Sequence, residues 1–187
     1  VSVGNTATVS VPTTAAGTFT YTLISVQDAS TTLCNQAQSG NAIVTINPLP
    51  AASISGDIEL CQNDPAPDII FTGGAGTAPY TFTYNINGGP NQTVVSVGNT
   101  ATVAAPTGIA GTFVYTLISV QDASATLCSQ AQTGTATVIV NPLPVSNFNF
   151  SAPSCETRTI SFTDLSSPSV GSLVSWTWDF GDGSPTV

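Results

Sequence analysis

The sequence contains no histidine, no methionine and a single cationic side chain, Arg158. Ten acidic residues against that one cation give a formal net charge of −9 at pH 7, which is the wrong sign for binding nucleic acid or anionic lipid. No apolar run approaches the roughly 18 residues that a membrane helix needs. We therefore expect neither nucleic acid nor membrane insertion among the interactions of this chain.

The composition also contains few of the side chains that enzymes use for catalysis. Histidine is not available as a general base, and the serine and threonine hydroxyls lack a base nearby in the sequence. Two carboxylate pairs surround Cys61, and their spacing is typical of solvated turns: Asp57 with Glu59, and Asp64 with Asp68. We predict no catalytic residues, no cofactor and no enzymatic activity.

A direct repeat with an offset of 94 residues organises the chain. Residues 1–50 align with 95–144 without a gap, with 38 of 50 positions identical, and the tetrapeptide Asn-Pro-Leu-Pro ends both copies. A unit of this length buries enough surface to fold alone. We predict that 1–50 are the second half of a unit, that 51–144 are a complete unit, and that 145–187 begin a different domain. On this interpretation the chain is part of a longer protein.

Seven short strands are predicted in the complete unit. Pro79–Ile86 alternates aromatic residues with threonine, the period of two of a half-buried strand. Gly111–Val120 is predicted as the long central strand, buried through Phe113, Tyr115 and Leu117. Because no segment has helical periodicity, the sequence predicts an all-β fold of tandem immunoglobulin-like β-sandwich domains followed by the start of another β-sandwich. The seven segments are AASIS, DIIFTGG, PYTFTYNI, TVVSV, NTATVA, TFVYTLISV and TATVIV.

Four cysteines, without a CxxC pair or histidine, favour disulfides over a zinc site. A bridge between Cys61 and Cys128 would span 67 residues within one unit, whereas Cys34–Cys61 and Cys128–Cys155 would each span 27 between units. Chain entropy gives about 4 kcal/mol for the longer loop and about 3.5 kcal/mol for the shorter ones, a difference too small to decide. Independent folding of each unit favours the internal bridge.

The C-terminal segment resembles the first half of a PKD (polycystic kidney disease) domain. SFTDLSS at Ser161–Ser167 and VSWTWDFGDGSPTV at Val174–Val187 carry the resemblance, with the family signature at Trp178–Gly183. It implies that Val145–Val187 begin a PKD-type β-sandwich with Trp178 in its core.

The sequence of this segment allows two other interpretations. Trp176 and Trp178 alternate on a predicted strand and share a face, so an exposed carbohydrate platform is the alternative to a core position. Asp179 and Asp182 have the spacing of a weak calcium site. Shaping of the turn by these aspartates is the favoured interpretation, and no metal is predicted.

The repeated unit resembles the Ig-like repeats of cell-surface proteins in gliding Bacteroidota, such as mobile gliding adhesins of the SprB type. CQNDPAPDIIFTGGAGTAPYTFTYNINGG from Cys61 and AGTFVYTLISVQDA from Ala110 carry it. The resemblance implies an extracellular, cell-surface location, type IX secretion and contact with the gliding machinery. It also implies a disulfide between Cys61 and Cys128, with the partners of Cys34 and Cys155 outside this chain.

These features together predict a structural stalk segment of a giant secreted adhesin that serves gliding motility or surface attachment. Its expected partners are neighbouring repeats of the same chain and, through distal regions, a surface polysaccharide or substratum. The main alternative is a spacer or carbohydrate-binding accessory module of a secreted polysaccharide-degrading enzyme. A further alternative is a fibre-forming subunit that exchanges strands between chains at its incomplete ends.

Overall fold

The computed structural model describes residues 4, 6–152, 155, 159–181, 183 and 186, and the predicted all-β fold is confirmed over this part of the chain. No helix long and apolar enough to cross a membrane occurs in these residues. The described residues form fifteen strands: β1 (Gly17–Thr22), β2 (Ser25–Gln27), β3 (Asn35–Ala37), β4 (Asn41–Ile46), β5 (Ala51–Ser55), β6 (Ile58–Cys61), β7 (Asp68–Gly74), β8 (Thr81–Ile86), β9 (Gln92–Val95), β10 (Thr100–Ala104), β11 (Gly111–Gln121), β12 (Ser129–Ala131), β13 (Thr135–Asn141), β14 (Phe148–Phe150) and β15 (Phe162–Asp164).

The two copies of the repeat have the same strand pairing. In the first copy β1 pairs with β4 and β2 pairs with β3, which places Val26 opposite Gln36. In the second copy β11 continues through the equivalents of both β1 and β2, and it pairs with β13 and β12. Val120 lies opposite Gln130, each 94 positions after its counterpart. The repeated sequence therefore specifies the register as well as the strands.

Strands β5–β13 form a two-layered β-sandwich. One sheet has the order β10-β7-β5, and the other has the order β6-β13-β11-β8-β9 with β12 paired to β11. Phe71 on β7 packs against Phe82 and Tyr84 on β8, with ring centroids 5.6 and 5.0 Å apart. Since β7 and β8 belong to different sheets, these aromatic contacts join the two layers.

The predicted central strand is confirmed by its place and its burial. β11 is the middle strand of the order β6-β13-β11-β8-β9 in the six-stranded sheet, and Tyr115 and Leu117 are buried while Phe113 is half-buried. On β8, Phe82 and Tyr84 are buried and the intervening Thr83 is half-buried, as the period of two predicts.

Two strands of this sandwich were not predicted. β6 pairs in parallel with β13, so Glu59 lies on a strand opposite Ile139 and the prediction of a loop there is wrong. β12 has only the residues Ser-Gln-Ala, all exposed. β12 has no apolar alternation, and the alternation of β6 covers only four residues, with Ile58 exposed and Leu60 half-buried, so both strands contribute mainly backbone pairing.

The chain divides into two compact units. One comprises Val1–Ile54, Ile70–Thr102 and Thr116–Gly134, and the other comprises Ser55–Ile69, Val103–Tyr115 and Thr135–Val187. Strands β5, β7, β10 and β11 have residues in both units, so this division does not follow the repeat. The domain limits of 1–50, 51–144 and 145–187 stay predictions.

The C-terminal segment has one short hairpin-like pair. β14 and β15 are antiparallel, with Phe150 opposite Phe162, and an isolated bridge joins Val145 to Ser167. Trp176 and Trp178 lie in irregular backbone, so the prediction of a strand there is wrong. The segment has no ladder partner among the described residues, and a strand is not stable without one.

Candidate functional site

The carboxylates around Cys61 hold the backbone and side chains of neighbouring strands. Asp57 Oδ1 accepts the backbone N–H of Thr137 at 2.7 Å, and Glu59 Oε1 accepts the side-chain amide of Asn141 at 2.7 Å. Asp64 Oδ2 accepts a backbone N–H within its own turn at 2.9 Å. The described residues contain no group of three or more side chains placed to hold a metal ion. The acidic groups here therefore serve the fold.

A loop closed by an aspartate occurs in both copies, and we call it the Asp–Cys loop: Asp28–Cys34 and Asp122–Cys128. In the first copy, Asp28 Oδ1 accepts the Ser30 hydroxyl at 2.6 Å and the backbone N–H of Cys34 at 3.0 Å. In each copy the aspartate N–H also donates to the cysteine carbonyl at 3.0 Å. In the first copy one carboxylate thus closes the whole loop, whereas in the second copy the Cys128 N–H donates to Ser124 Oγ at 3.4 Å.

The Asp–Cys loops differ in their surroundings, and the pKa values reflect this. Burial raises the pKa of Asp122, but hydrogen bonds from the Ser124 hydroxyl and from backbone N–H groups, including that of Thr77 at 3.1 Å, outweigh it and leave the pKa below its usual value. In the exposed first copy, the Ser30 hydroxyl lowers the pKa of Asp28. The Thr32 hydroxyl, beside the thiol, lowers the pKa of the cysteine that ends that loop.

The cysteines named by the sequence lie at the ends of strands or loops. Cys61 ends β6 and pairs with Asn141, and Cys128 ends the second Asp–Cys loop. All four thiols are free in the structure, and Cys34 and Cys155 are exposed. The bridge between Cys61 and Cys128, and outside partners for Cys34 and Cys155, stay predictions.

The first Asn-Pro-Leu-Pro segment, which we call joint 1 (residues 47–50), is fixed to the repeat that follows it. Asn47 Nδ2 donates to Thr126 Oγ1 at 2.9 Å. The amide of Gln132 bridges the end of the joint, donating to the Pro50 carbonyl at 3.4 Å and accepting from the Ala52 N–H at 3.2 Å. Pro50 is fully buried. Joint 1 therefore has polar contacts at both ends and an apolar contact between them.

The absence of a side chain at Gly76 lets Pro50 of joint 1 lie close to the second Asp–Cys loop. A Cβ there would lie 3.1 Å from the Pro50 Cβ and 2.7 Å from Asp122 Oδ2. Any larger residue would push the joint away from the second Asp–Cys loop.

The second Asn-Pro-Leu-Pro segment, joint 2 (residues 141–144), has different contacts. Asn141 Nδ2 donates to Glu59, and the Pro142 carbonyl accepts the Ser169 hydroxyl. Pro144 is exposed, unlike its counterpart Pro50. The last proline of the same tetrapeptide is thus buried at joint 1 and exposed at joint 2.

An aromatic groove of about 680 Å³ lies in the C-terminal segment. Trp178 packs against Phe148 and Phe162, with ring centroids 5.3 and 5.7 Å away. Trp176 is 48% exposed. Its side chain hydrogen-bonds Asp164, whose pKa is lowered first by the Ser166 hydroxyl and also by this bond.

The groove brings together the two tryptophans that the sequence singled out, in different settings. Trp178 belongs to the aromatic cluster, whereas Trp176 presents a ring at the surface. Phe148 and Phe162, which pack against Trp178, were not predicted, although the Phe-Asn-Phe alternation at 148–150 indicates a strand with an aromatic face. Trp178 and Phe180 have nearly parallel rings, 7° apart.

The aspartates considered for calcium are only partly described. Asp179 Oδ1 accepts the Gly181 N–H at 2.9 Å, the geometry of an aspartate that shapes its own turn. Asp182 lies outside the described residues, so the pair is not placed.

No family model, curated protein or solved structure matches this chain. The two family resemblances therefore stay expectations.

Proposed function

We propose that this chain is a structural stalk segment of a secreted cell-surface adhesin, in which tandem β-sandwich domains hold a distal adhesive region away from the cell. Joint 1 is the observation that carries the proposal. A freely jointed tether needs no contacts at its linker, whereas joint 1 is held by Asn47, Pro50 and Gln132. Joint 1 and the residues that it contacts, Thr126 and Gln132, belong to one compact unit.

The mechanics follow from the chemistry of the joint. Each proline fixes its own φ and restricts the backbone conformation of the residue before it. The linker can therefore take fewer directions. The hydrogen bonds from Asn47 and Gln132 then select one of those directions, each contributing about 0.5–1.5 kcal/mol. The net charge of −9 keeps neighbouring chains apart and soluble. No chemical step is needed, and we propose no enzymatic activity.

The stiffness of joint 1 is tested by ¹⁵N relaxation on the whole 187-residue chain. We expect residues 17–46 and residues 68–141 to report one common rotational correlation time. Gln132→Ala, which removes both bonds of the bridging amide, is expected to separate the two correlation times. Gln130→Ala is the matched control, because Gln130 is exposed on β12. Separate correlation times in the unmodified chain would contradict a stiff stalk.

The cellular part of the proposal comprises an extracellular, cell-surface location, type IX secretion, and a role in gliding or attachment. A fluorescent antibody against residues 51–144 tests it on living cells that make the protein. Signal that travels along gliding cells supports a mobile adhesin, and static surface signal supports an attachment stalk. Signal found only in the medium contradicts the adhesin and favours a secreted accessory module.

The aromatic groove supports a second candidate, a carbohydrate-binding accessory module. An exposed ring beside a carboxylate is suited to stacking on a sugar while hydrogen-bonding its hydroxyls. Titration of the whole chain with soluble polysaccharides tests this candidate. Trp176→Ala should abolish binding and Val174→Ala, an exposed residue that does not line the groove, should leave it intact. If no polysaccharide binds, or if both variants bind equally, the candidate fails.

A further inference from the structure

The thiol of Cys128 lies beside joint 1, where one copy of the repeat ends and the next begins. Thr126 Oγ1 is 3.1 Å from Cys128 Sγ and 2.9 Å from Asn47 Nδ2, so a single hydroxyl separates this thiol from the joint. The second Asp–Cys loop holds Cys128 in place, because the Asp122 N–H donates to its carbonyl at 3.0 Å. Cys128 is half-buried and its thiol is free. The second copy therefore presents a positioned thiol to the end of the copy before it.

The other cysteine of the repeat, Cys61, lies beside joint 2. It pairs with Asn141, the first residue of that joint, and neighbouring strands lie about 5 Å apart. The Asn141 amide donates to Glu59 Oε1 at 2.7 Å. Because side chains alternate along a strand, Cys61 lies on the same face of the sheet as Glu59, and therefore on the face of the Asn141 amide. Cys61 thus accompanies the asparagine of the joint that ends its own copy.

The equivalence of the two joints relates these two positions. Asn47 and Asn141 are counterparts, 94 positions apart, and each begins an Asn-Pro-Leu-Pro segment. In the copy that ends at joint 1, the counterpart of Cys61 lies opposite Asn47, on the face from which the Asn47 amide reaches Thr126. Cys128 is on the other side of that hydroxyl, and a disulfide needs Cα atoms roughly 4.4–6.8 Å apart. The register therefore brings one cysteine from each of two consecutive copies to the same joint.

We propose that consecutive copies of the repeat are joined by a disulfide between the Cys128 position of one copy and the Cys61 position of the copy before it. One S–S bond forms between the copies while that of an oxidant such as glutathione disulfide breaks, and the oxidant takes up the two electrons and two protons of the thiols. Because Cys128 can form only one such bond, this bridge takes the place of the predicted bridge within one repeat. The proposal does not rest on the stalk function, since it follows from the contacts of joint 1 and the pairing of β6.

The test uses the whole 187-residue chain extended at its N-terminus by a second copy of residues 51–94, which completes the first copy of the repeat. The protein is oxidised with glutathione disulfide, alkylated, digested without reductant and analysed by mass spectrometry. We expect a peptide that contains Cys128 to be linked to a peptide that contains the cysteine of the added segment. A Cys128 thiol that stays free under these conditions would overturn the proposal.

Two matched variants of the extended chain identify the partner, since the added segment and the original one have the same sequence. Cys61→Ser made only in the original segment should leave the Cys128 bridge intact, whereas Cys61→Ser made only in the added segment should abolish it. Loss in the first variant alone would mean that the bridge forms within one repeat, and would overturn the proposal. Loss in both variants, or in neither, would overturn it as well, because the bridge would then not be specific to consecutive copies.

The chain without the added segment is the control. After the same oxidation we expect its Cys128 to be alkylated in full, and a link between Cys61 and Cys128 in this chain would overturn the proposal. The stiffness of joint 1 is measured separately, by relaxation of the chain without the added segment. Failure of the disulfide and failure of the stalk function are therefore distinguishable.

Discussion

The repeat supplies a matched pair of substitutions, Leu117→Ala and Leu23→Ala, that separates the effect of sequence from the effect of packing. Leu117 is 1% exposed, and truncating a leucine so completely buried removes its transfer free energy and leaves a cavity. The expected cost is about 3–5 kcal/mol. Leu23 is 51% exposed, so half of its surface is already in water and no enclosed cavity forms. We expect its truncation to cost less than about 1 kcal/mol.

The assay is urea unfolding of the whole chain, followed by far-ultraviolet circular dichroism, with hydrogen exchange of residues 111–121 as a local measure. With a slope of about 1–3 kcal/mol/M, Leu117→Ala should lower the midpoint by about 1 M or more and accelerate exchange in β11. Leu23→Ala should shift the midpoint by at most a few tenths of that amount. Equal shifts would refute the reasoning that the covering sheet sets the energetic contribution of these identical residues.

Three other outcomes are expected. Gly73→Ala should cost about 1–3 kcal/mol in the same urea assay, because a Cβ there would lie 2.5 Å from the buried Tyr80 ring, whereas Gly74→Ala, with nothing within 4 Å, should be nearly neutral. The pKa of Asp122 is depressed in the folded chain, so its stabilising contribution is present above its ordinary pKa of 3.8 and is lost as the pH falls through the folded value; Asp122→Asn should remove that part of the pH dependence of the urea midpoint. If the predicted Cys61–Cys128 bridge forms in oxidising buffer, mass spectrometry of a non-reducing digest will show the linked peptides and reductant will lower the Tm; free thiols in the oxidised protein would contradict it.

Strands with one side facing the core could be predicted from the sequence. The alternation in β8 and the apolar run in β11 arise because Phe82, Tyr84, Tyr115 and Leu117 exclude water. β6 and β12 were missed because they are only four and three residues long and contribute mainly backbone pairing, so any alternation of side-chain polarity is too short to indicate a strand. Trp176 and Trp178 show the opposite error, since a good alternation formed no strand without a partner to pair with.

The contacts of joint 1 could not be predicted from local sequence patterns, because they join residues that are distant in the sequence. Gln132 reads as an ordinary polar residue after a short strand, and only the fold places its amide between the Pro50 carbonyl and the Ala52 N–H. Proline restricts the backbone of both Asn-Pro-Leu-Pro segments, but the tetrapeptide does not indicate at which joint its last proline is buried. That distinction depends on Gly76, whose missing side chain leaves room for Pro50.

The two Asp–Cys loops show which features of the repeat depend on local sequence and which depend on the strands packed around it. Leu33 and Leu127 have the same left-handed backbone, with φ of 50° and 49°, and the backbone hydrogen bonds that close the loops are equivalent, although the first loop is exposed throughout and Asp122 and Ser124 are buried in the second. Local geometry is therefore the same in both surroundings, because the donors and acceptors that set it lie within the loop. Burial of the strands differs between the two copies, since β11 lies between β13 and β8, whereas β1 pairs with β4 alone among the described strands.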